Sequence, residues 1–255
     1  MSFHGKLLES RFILGVRVDA TSYHDAAERI VQWAHRGESR YVCVATVCQV
    51  MESWDSCLIR AAMNGSDLST PDGMPLVWGL RLLGLANQAR VYGPHLTPRL
   101  LAEAEREGIP VGFYGASHST RNTLMDRLRR DYPKLSIVYS WSPPFRLLSA
   151  EEDREVVESI NSSGARILFL GLSSPQQDLW MADHRDRVKS VMIGVGAAFD
   201  FLAGTKPQAP GWMMNAGLEW LFRLMTEPRR LWRRYLRNNP RFIYRFGRQL
   251  LGQRT

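Results

Sequence analysis

The fold is indicated most clearly by residues 166–178, which read RILFLGLSSPQQD. Their four consecutive apolar residues predict a buried strand, because a strand in a sheet covered on both faces is apolar at every position. The glycine and serines that follow predict a loop. Ser174 is the expected N-cap of the next helix, with Pro175 at its first position. Strand, loop and helix in this order are the building unit of α/β domains.

The same alternation continues in both directions along the chain. Apolar or β-branched runs predict strands at residues 11–18, 41–46, 111–114, 136–139, 166–170 and 191–195. Amphipathic runs predict helices at residues 22–35, 47–62, 74–83, 97–107, 120–131, 150–161 and 175–186. We therefore expect an α/β fold with a Rossmann-like, mainly parallel sheet and helices on both faces.

Charge divides the chain into two parts. The 255 residues carry a formal net charge of +8, and residues 211–255 hold ten arginines and two glutamates, so residues 1–210 are neutral. Two prolines and a glycine fall within residues 206–211. We expect a domain of residues 1–210 followed by a basic helical appendage of residues 211–255, broken into helices by Pro228 and Pro240.

The cysteines indicate a reducing compartment. Cys43, Cys48 and Cys57 contain no CxxC pair, so they predict neither a disulfide framework nor a zinc site. No signal peptide is legible, and no run reaches the roughly 18 apolar residues of a membrane span. The histidines lack metal-ligand spacing and no Asp-x-Asp occurs, so we expect no metal and no cofactor. These features favour a cytoplasmic protein.

Ligands of open parallel sheets bind beyond the carboxyl ends of the strands, which directs attention to four loops. They are residues 46–49, 70–73, 171–177 and 194–204. Asp72 lies in the second loop, before Gly73. It is either an N-cap or turn residue, or a general base whose neighbouring glycine lets substrate approach the backbone. Spacing alone does not decide between these interpretations.

The loops 171–177 and 194–204 carry glycines and amide side chains. Residues 194–199 read GVGAAF, like the start of a dinucleotide fingerprint, but Phe199 replaces the third glycine and argues against a nicotinamide site. Two glycines still permit close approach to a phosphate or sugar, and the alternative is a tight turn. Gln176 or Gln177 could bind a base edge or a sugar hydroxyl. If the site neutralises the charge of a bound phosphate, arginine side chains rather than a magnesium ion are the candidates for that role.

The appendage interleaves arginines with Trp and Tyr. It could be a solvated basic helix, a nucleic-acid binder, or an amphipathic segment on anionic lipid. We favour the membrane surface over nucleic acid, because residues 1–210, the body of the protein, are neutral in charge and contain no legible nucleic-acid recognition module.

Six motifs in this order resemble those of the WecG/TagA/CpsF glycosyltransferases, glycosyltransferase family 26, from about residue 12 to about residue 237. They are TPDGMP (70–75), RVYG (90–93), GLSSPQQD (171–178), VGAAFD (195–200), QAP (208–210), and LEWLFRL (218–224) continuing through EPRR (227–230) to RRY (233–235).

The resemblance implies an inverting, metal-independent hexosyltransferase of cell-surface polysaccharide synthesis. Its donor would be a UDP-sugar, with N-acetylmannosamine, a uronate or glucose as the sugar, and its acceptor a polyprenyl-diphosphate-linked saccharide at the inner face of the cytoplasmic membrane. The appendage would close over the site, bring arginine to the diphosphate and anchor the enzyme on the membrane. A homo-oligomer is left open.

The resemblance also implies roles for particular residues. Asp72 corresponds to the proposed catalytic base and Gln177 to a sugar or nucleotide contact, with Asp178 where Glu is usual. Thr46 stands where the family has Asn. Its hydroxyl offers one hydrogen-bond donor, whereas the amide of Asn offers two. The full set of expected substrate-binding residues is Thr46, Gly73, Gln177, Gly196, Phe199, Asp200, Arg223, Arg229 and Arg230.

Two other classes of function stay open at this point. A non-enzymatic nucleic-acid binder would use the basic appendage for phosphates and would not need Asp72. A non-enzymatic membrane scaffold would bind anionic vesicles without affinity for UDP. An epimerase of sugar nucleotides is disfavoured because no nicotinamide site is legible.

Overall fold

A computed structural model describes residues 8–252 of the chain. In chain order the strands are β1 (Ser10–Ile13), β2 (Val16–Asp19), β3 (Arg40–Ala45), β4 (Leu68–Pro71), β5 (Val111–Gly115), β6 (Ile137–Trp141), β7 (Ile167–Gly171) and β8 (Val191–Gly194). The helices are α1 (Tyr23–Arg36), α2 (Val47–Asp55), α3 (Cys57–Asn64), α4 (Met74–Leu82), α5 (Gly93–Glu107), α6 (His118–Asp131), α7 (Ala150–Ser163), α8 (Gln176–Asp183), α9 (Ala198–Ala203), α10 (Gly211–Asn215), α11 (Glu219–Thr226) and α12 (Pro228–Leu250).

Six strands form one parallel sheet, in the order β4-β3-β8-β7-β5-β6. Side chains alternate across it, which gives each face its own core. Ile167 and Phe169 of β7 pack with α1, α5, α6 and α9, whereas Leu168 and Leu170 face the hairpin, α2, α4, α7 and α12. The predicted α/β fold with a parallel sheet and helices on both faces is confirmed.

The first predicted strand is instead a hairpin. β1 and β2 pair antiparallel, separately from the main sheet, and Leu14 and Gly15 between them have φ of 50° and 82°. A two-residue turn with positive φ at both positions matches the twist of an antiparallel pair. Residues 11–18 therefore turn back on themselves rather than continue as one strand.

Two further predictions of local structure are wrong. The predicted helix 47–62 is divided at Ser56, whose N–H donates to the Glu52 carbonyl while its Oγ accepts from Ile59 N. Ser174 does not cap α8. Pro175 occupies the N-cap position, and Ser174 Oγ donates to Glu52 Oε2 at 2.9 Å.

Pro240 does not break the appendage, although Pro228 begins α12 as predicted. α12 continues through Pro240, with Leu231 buried before it and Phe242 and Phe246 buried after it. A proline removes one helical hydrogen bond. Packing of both halves against the body offsets that loss, so tertiary contacts override the local preference.

The appendage is docked on the body. The Arg241 guanidinium donates to both oxygens of Asp55 at 2.5 and 2.9 Å. Gln249 Nε2 donates to the Phe12 carbonyl at 2.7 Å, and its Oε1 accepts from Leu14 N at 2.8 Å. Phe242 and Phe246 belong to the core on the face of the sheet that Leu168 and Leu170 occupy. Within residues 8–252, no helix combines the length and apolarity that a membrane span requires.

Candidate active site

The four loops singled out in the sequence meet at one end of the sheet, because they follow the adjacent strands β4, β3, β8 and β7. They line a cleft of about 1100 Å³ together with α4, α11 and α12. Side chains from the body and from the appendage therefore face the same space.

Asp72 lies on the wall of this cleft, directly after β4. Its backbone N–H donates to the Ala45 carbonyl, which ties it to the neighbouring strand. Its carboxylate accepts from Arg90 Nη2 at 3.1 Å and from Gly93 N at 3.2 Å. Gly73 takes the N-cap position of α4, without a side-chain cap bond. The carboxylate is therefore not the cap of the helix that follows it.

The surroundings of Asp72 make it a stronger base than an exposed aspartate. Burial raises the pKa of Asp72 to about 6, the positive charge of Arg90 acts against this, and the carboxylate of Glu219 adds to it. Burial alone would lower the pKa of Arg90, but the attraction of Asp72 and Glu219 outweighs it and raises that pKa. Asp72 is thus suited to accept a proton near neutral pH while Arg90 keeps its charge.

Glu219 connects the appendage to this carboxylate. It begins α11 and accepts from Arg90 Nη2 at 2.6 Å and from the Tyr92 hydroxyl at 3.0 Å. The Arg90 guanidinium lies 4.0 Å from the centroid of the Tyr92 ring and also donates to the Asp72 carbonyl. Arg90, Tyr92 and Glu219 were not predicted as site residues. Their positions within the RVYG and LEWLFRL motifs were the available signal.

Thr46 and Gly73 both line the cleft. Thr46 caps α2: its Oγ1 accepts from Gln49 N at 3.4 Å and donates to Gln49 Oε1 at 2.9 Å. The one hydroxyl hydrogen of Thr46 is thereby engaged within the protein. Gln49 in turn donates through Nε2 to the buried Asp178 at 2.9 Å, which links the ends of β3 and β7 behind the cleft.

Gln177 and Gly196 lie together in the cleft, from the loops after β7 and β8. Gly196 N donates to Gln177 Oε1 at 3.1 Å, and Gly196 has a φ of 52° that favours glycine. At Gly194 a Cβ would come within 3.1 Å of the Gln177 amide, so a side chain there would displace it. The amide of Gln177 is thus held by the glycine loop.

Phe199 and Asp200 are not among the residues that line the cleft. The Phe199 ring is buried in the core, 5.6 Å from the Phe113 ring centroid, and packs over Gly171. Asp200 pairs with Lys206 at 2.9 Å. Phe201, two residues beyond Phe199, lines the cleft instead, because α9 turns that side chain to its other face.

The appendage arginines differ in where they lie. Arg223 and Arg230 line the cleft, whereas Arg229 is exposed outside it. Arg230 pairs with Glu227 at 2.7 Å. Arg234, which was not predicted, also lines the cleft and lies 3.4 Å from Glu52.

Two of these guanidiniums are incompletely bonded. The Nε atoms of Arg223 and Arg234 are buried and have no hydrogen-bond partner within the described chain. A buried N–H without an acceptor is costly, so a ligand oxygen would be favourable at each position. Of the side chains in residues 8–252, no three from His, Cys, Asp and Glu are arranged to hold a metal ion.

Comparison with known proteins is consistent with this geometry. The model of the glycosyl transferase WecG/TagA/CpsF family matches residues 11–255. The chain is also 31% identical over 185 residues to the N-acetylglucosaminyldiphosphoundecaprenol N-acetyl-beta-D-mannosaminyltransferase of Bacillus spizizenii, covering 72% of this chain and 69% of that protein.

Proposed function

The chain belongs to the WecG/TagA/CpsF glycosyltransferase family, and we propose that it transfers N-acetylmannosamine, or a closely related hexose, from a UDP-sugar to a polyprenyl-diphosphate-linked saccharide. The observation that carries the proposal is the Asp72 carboxylate on the wall of a cleft completed by the appendage. The name of the B. spizizenii relative supports both the sugar and a diphosphoundecaprenol acceptor.

Asp72 is the general base of the proposed reaction. It accepts the proton of the acceptor hydroxyl while that oxygen forms a bond to the anomeric carbon of the donor. The bond from that carbon to the diphosphate oxygen breaks, and its electron pair leaves with UDP. Attack from the face opposite UDP inverts the anomeric configuration.

Arginines stabilise the departing UDP. Negative charge grows on the diphosphate as the bond breaks, and guanidiniums fixed beforehand in the cleft stabilise it without a metal ion. Arg223 and Arg230 are the assigned residues, and the unpartnered Nε of Arg223 supports this role. Arg229 lies outside the cleft and would act only through the general positive field.

The loops after β3, β4, β7 and β8 hold the donor. Gly196 lets the backbone approach a phosphate or sugar, and the amide nitrogen of Gln177 is placed beside it to donate to a sugar hydroxyl. Gly73 permits a similar approach next to Asp72. Thr46 shapes the floor chiefly by capping α2, since its hydrogen is engaged by Gln49.

Residues 211–255 serve as lid and membrane-surface anchor in this proposal. Trp212, Trp232 and Tyr244 are exposed, and arginines lie between them in the sequence. Aromatic side chains favour the headgroup level and arginines favour lipid phosphates. The enzyme would then act at the inner face of the cytoplasmic membrane in cell-surface polysaccharide synthesis.

The test is incubation of the full chain with a panel of UDP-hexoses and polyprenyl-diphosphate N-acetylglucosamine. A new glycolipid with inverted anomeric configuration is expected, with UDP-N-acetylmannosamine as the best donor. No glycolipid from any donor, together with steep salt-dependent binding to duplex or RNA that UDP leaves unchanged, would instead indicate a nucleic-acid binder.

A further inference from the structure

The cleft continues beyond the polar loops as an apolar groove between α4 and α12. Trp78 and Leu82 of α4 stand along one side, and Leu236, Ile243 and Leu250 of α12 along the other. Ile243 is 71% exposed and Leu236 69% exposed, which is unusual for large apolar side chains grouped in one concave surface.

The floor of the groove is formed by close contact of the two helices. A Cβ at Gly79 would lie 3.1 Å from Phe246 Cζ, so the glycine lets the Phe246 ring approach α4. At Gly247, one residue further along α12, a Cβ would meet nothing within 4 Å. The groove is therefore open above a packed floor.

The chemistry of α12 changes with position along its cleft-lining face. Arg230 and Arg234, its two lining arginines, lie one turn apart near the start of the helix. From Leu236 to Leu250 the lining residues are non-polar, apart from Asn239. Fourteen residues of helix rise about 21 Å. One cleft thus contains the Asp72 carboxylate, guanidiniums near the start of α12 and a largely apolar channel along the rest of that helix.

We propose that this groove binds the isoprenoid chain of the lipid-linked acceptor. The inference rests on the proposed function, and it assigns a binding site for the lipid within the protein rather than in the bilayer alone. With the isoprenoid chain in the groove, the acceptor diphosphate would lie at Arg234 and the terminal sugar would reach Asp72. Of the α12 arginines that line the cleft, Arg234 is the nearest in sequence to Leu236, and its buried Nε has no partner within residues 8–252.

Gly247→Leu is the sharpest test, because it places an apolar side chain in open space inside the groove and improves helix propensity. For an acceptor with a long polyprenyl chain, KM is expected to rise by about tenfold or more, whereas KM for UDP-sugar stays unchanged. For a soluble acceptor with the same sugar and diphosphate on a short alkyl group, KM is expected to stay unchanged. Gly211→Leu is the matched control, at another glycine with open space but outside the cleft lining.

Ile243→Ser tests the same site by removing a contact. It is expected to raise KM for the long-chain acceptor about three- to tenfold and to leave the short-chain acceptor unaffected. Equal effects on both acceptors, or no effect of Gly247→Leu on the long chain, would overturn the proposal. Two further results in these variants would overturn it. Weaker binding to anionic phosphatidylglycerol vesicles would indicate that the groove contacts the bilayer. Dissociation of a dimer would indicate that the groove binds a second copy of the chain.

A direct probe separates this proposal from the proposed function. A polyprenyl diphosphate with a diazirine in its isoprene chain is expected to crosslink to peptides of α4 and α12 in the full chain, less so in Gly247→Leu. Crosslinks elsewhere would overturn the groove assignment even if transfer occurs. Failure of transfer from every UDP-sugar would overturn the proposed function, while the crosslinks would still decide the groove.

Discussion

Asp72 and Glu219 share one guanidinium nitrogen: Arg90 Nη2 lies 3.1 Å from the Asp72 carboxylate and 2.6 Å from that of Glu219. Asp72 directly follows strand β4, and Glu219 lies in the first turn of α11. The appendage therefore supplies a charge that acts directly on the proposed base. Docking of the appendage and the basicity of Asp72 are coupled through Arg90.

The first prediction concerns pH. Because the pKa of Asp72 is raised to about 6, kcat/KM is expected to fall as pH decreases through about 6, when the base becomes protonated. Glu219→Gln removes the negative charge that helps raise the pKa of Asp72. It also leaves Asp72 as the one carboxylate of this pair that interacts with the positive charge of Arg90. Both changes lower the pKa of Asp72, so the acidic limb should move to lower pH and the plateau rate should decrease.

Tyr92→Phe is the matched control for this shift. It removes the hydroxyl that donates to Glu219 but leaves both carboxylates and Arg90 in place. Its acidic limb should stay close to that of the unmodified chain. A Glu219→Gln profile whose acidic limb does not move, or moves to higher pH, would disprove the coupling.

The second prediction compares two arginines of the appendage. Arg223→Gln removes a guanidinium from the cleft and should lower kcat by about 10²- to 10³-fold, the usual effect of losing one preorganised donor. Arg229→Gln changes the net charge equally at an exposed position outside the cleft, and should lower kcat by no more than about threefold. Equal losses for the two variants in a steady-state transfer assay would contradict the assignment.

The third prediction concerns the fold beneath the site. In Gly171→Ala the new Cβ would lie 2.3 Å from Phe199 Cδ2, so overpacking should lower the free energy of unfolding by about 1–3 kcal/mol. Phe199→Leu should restore part of this loss in the double variant. Urea denaturation of both single variants and the double variant measures the coupling, and strictly additive effects would refute the contact.

The fourth prediction concerns metal ions. Since arginines stabilise the leaving diphosphate in this account, transfer should proceed at an unchanged rate in excess EDTA. The measurement is the initial rate of glycolipid formation with and without the chelator. If EDTA abolished transfer and added Mg²⁺ restored it, the arginines would not be sufficient to stabilise the leaving diphosphate.

Much of the site could be predicted from local sequence. The apolar run at 167–170 gave a buried parallel strand, and loops after such strands converge at the same edge of a sheet. This reasoning placed Thr46, Asp72, Gln177 and Gly196 in one cleft. It needs only the type and order of the elements.

What could not be predicted depends on contacts between distant parts of the chain. Arg90 and Glu219 are 129 residues apart, and no local pattern pairs them. Phe199 follows a glycine loop, but its position on α9 turns the ring into the core. Pro240 would break an isolated helix, whereas buried Phe242 and Phe246 keep α12 continuous.

The most direct test of the central claim is the transfer rate of Asp72→Asn with UDP binding measured on the same sample. The variant should fold normally and bind UDP as the unmodified chain does, because the arginines and the glycine loop are unchanged. Its kcat should fall by about 10²- to 10⁴-fold, since the amide cannot accept the proton of the acceptor hydroxyl. A kcat close to that of the unmodified chain would contradict the account of Asp72 as the base.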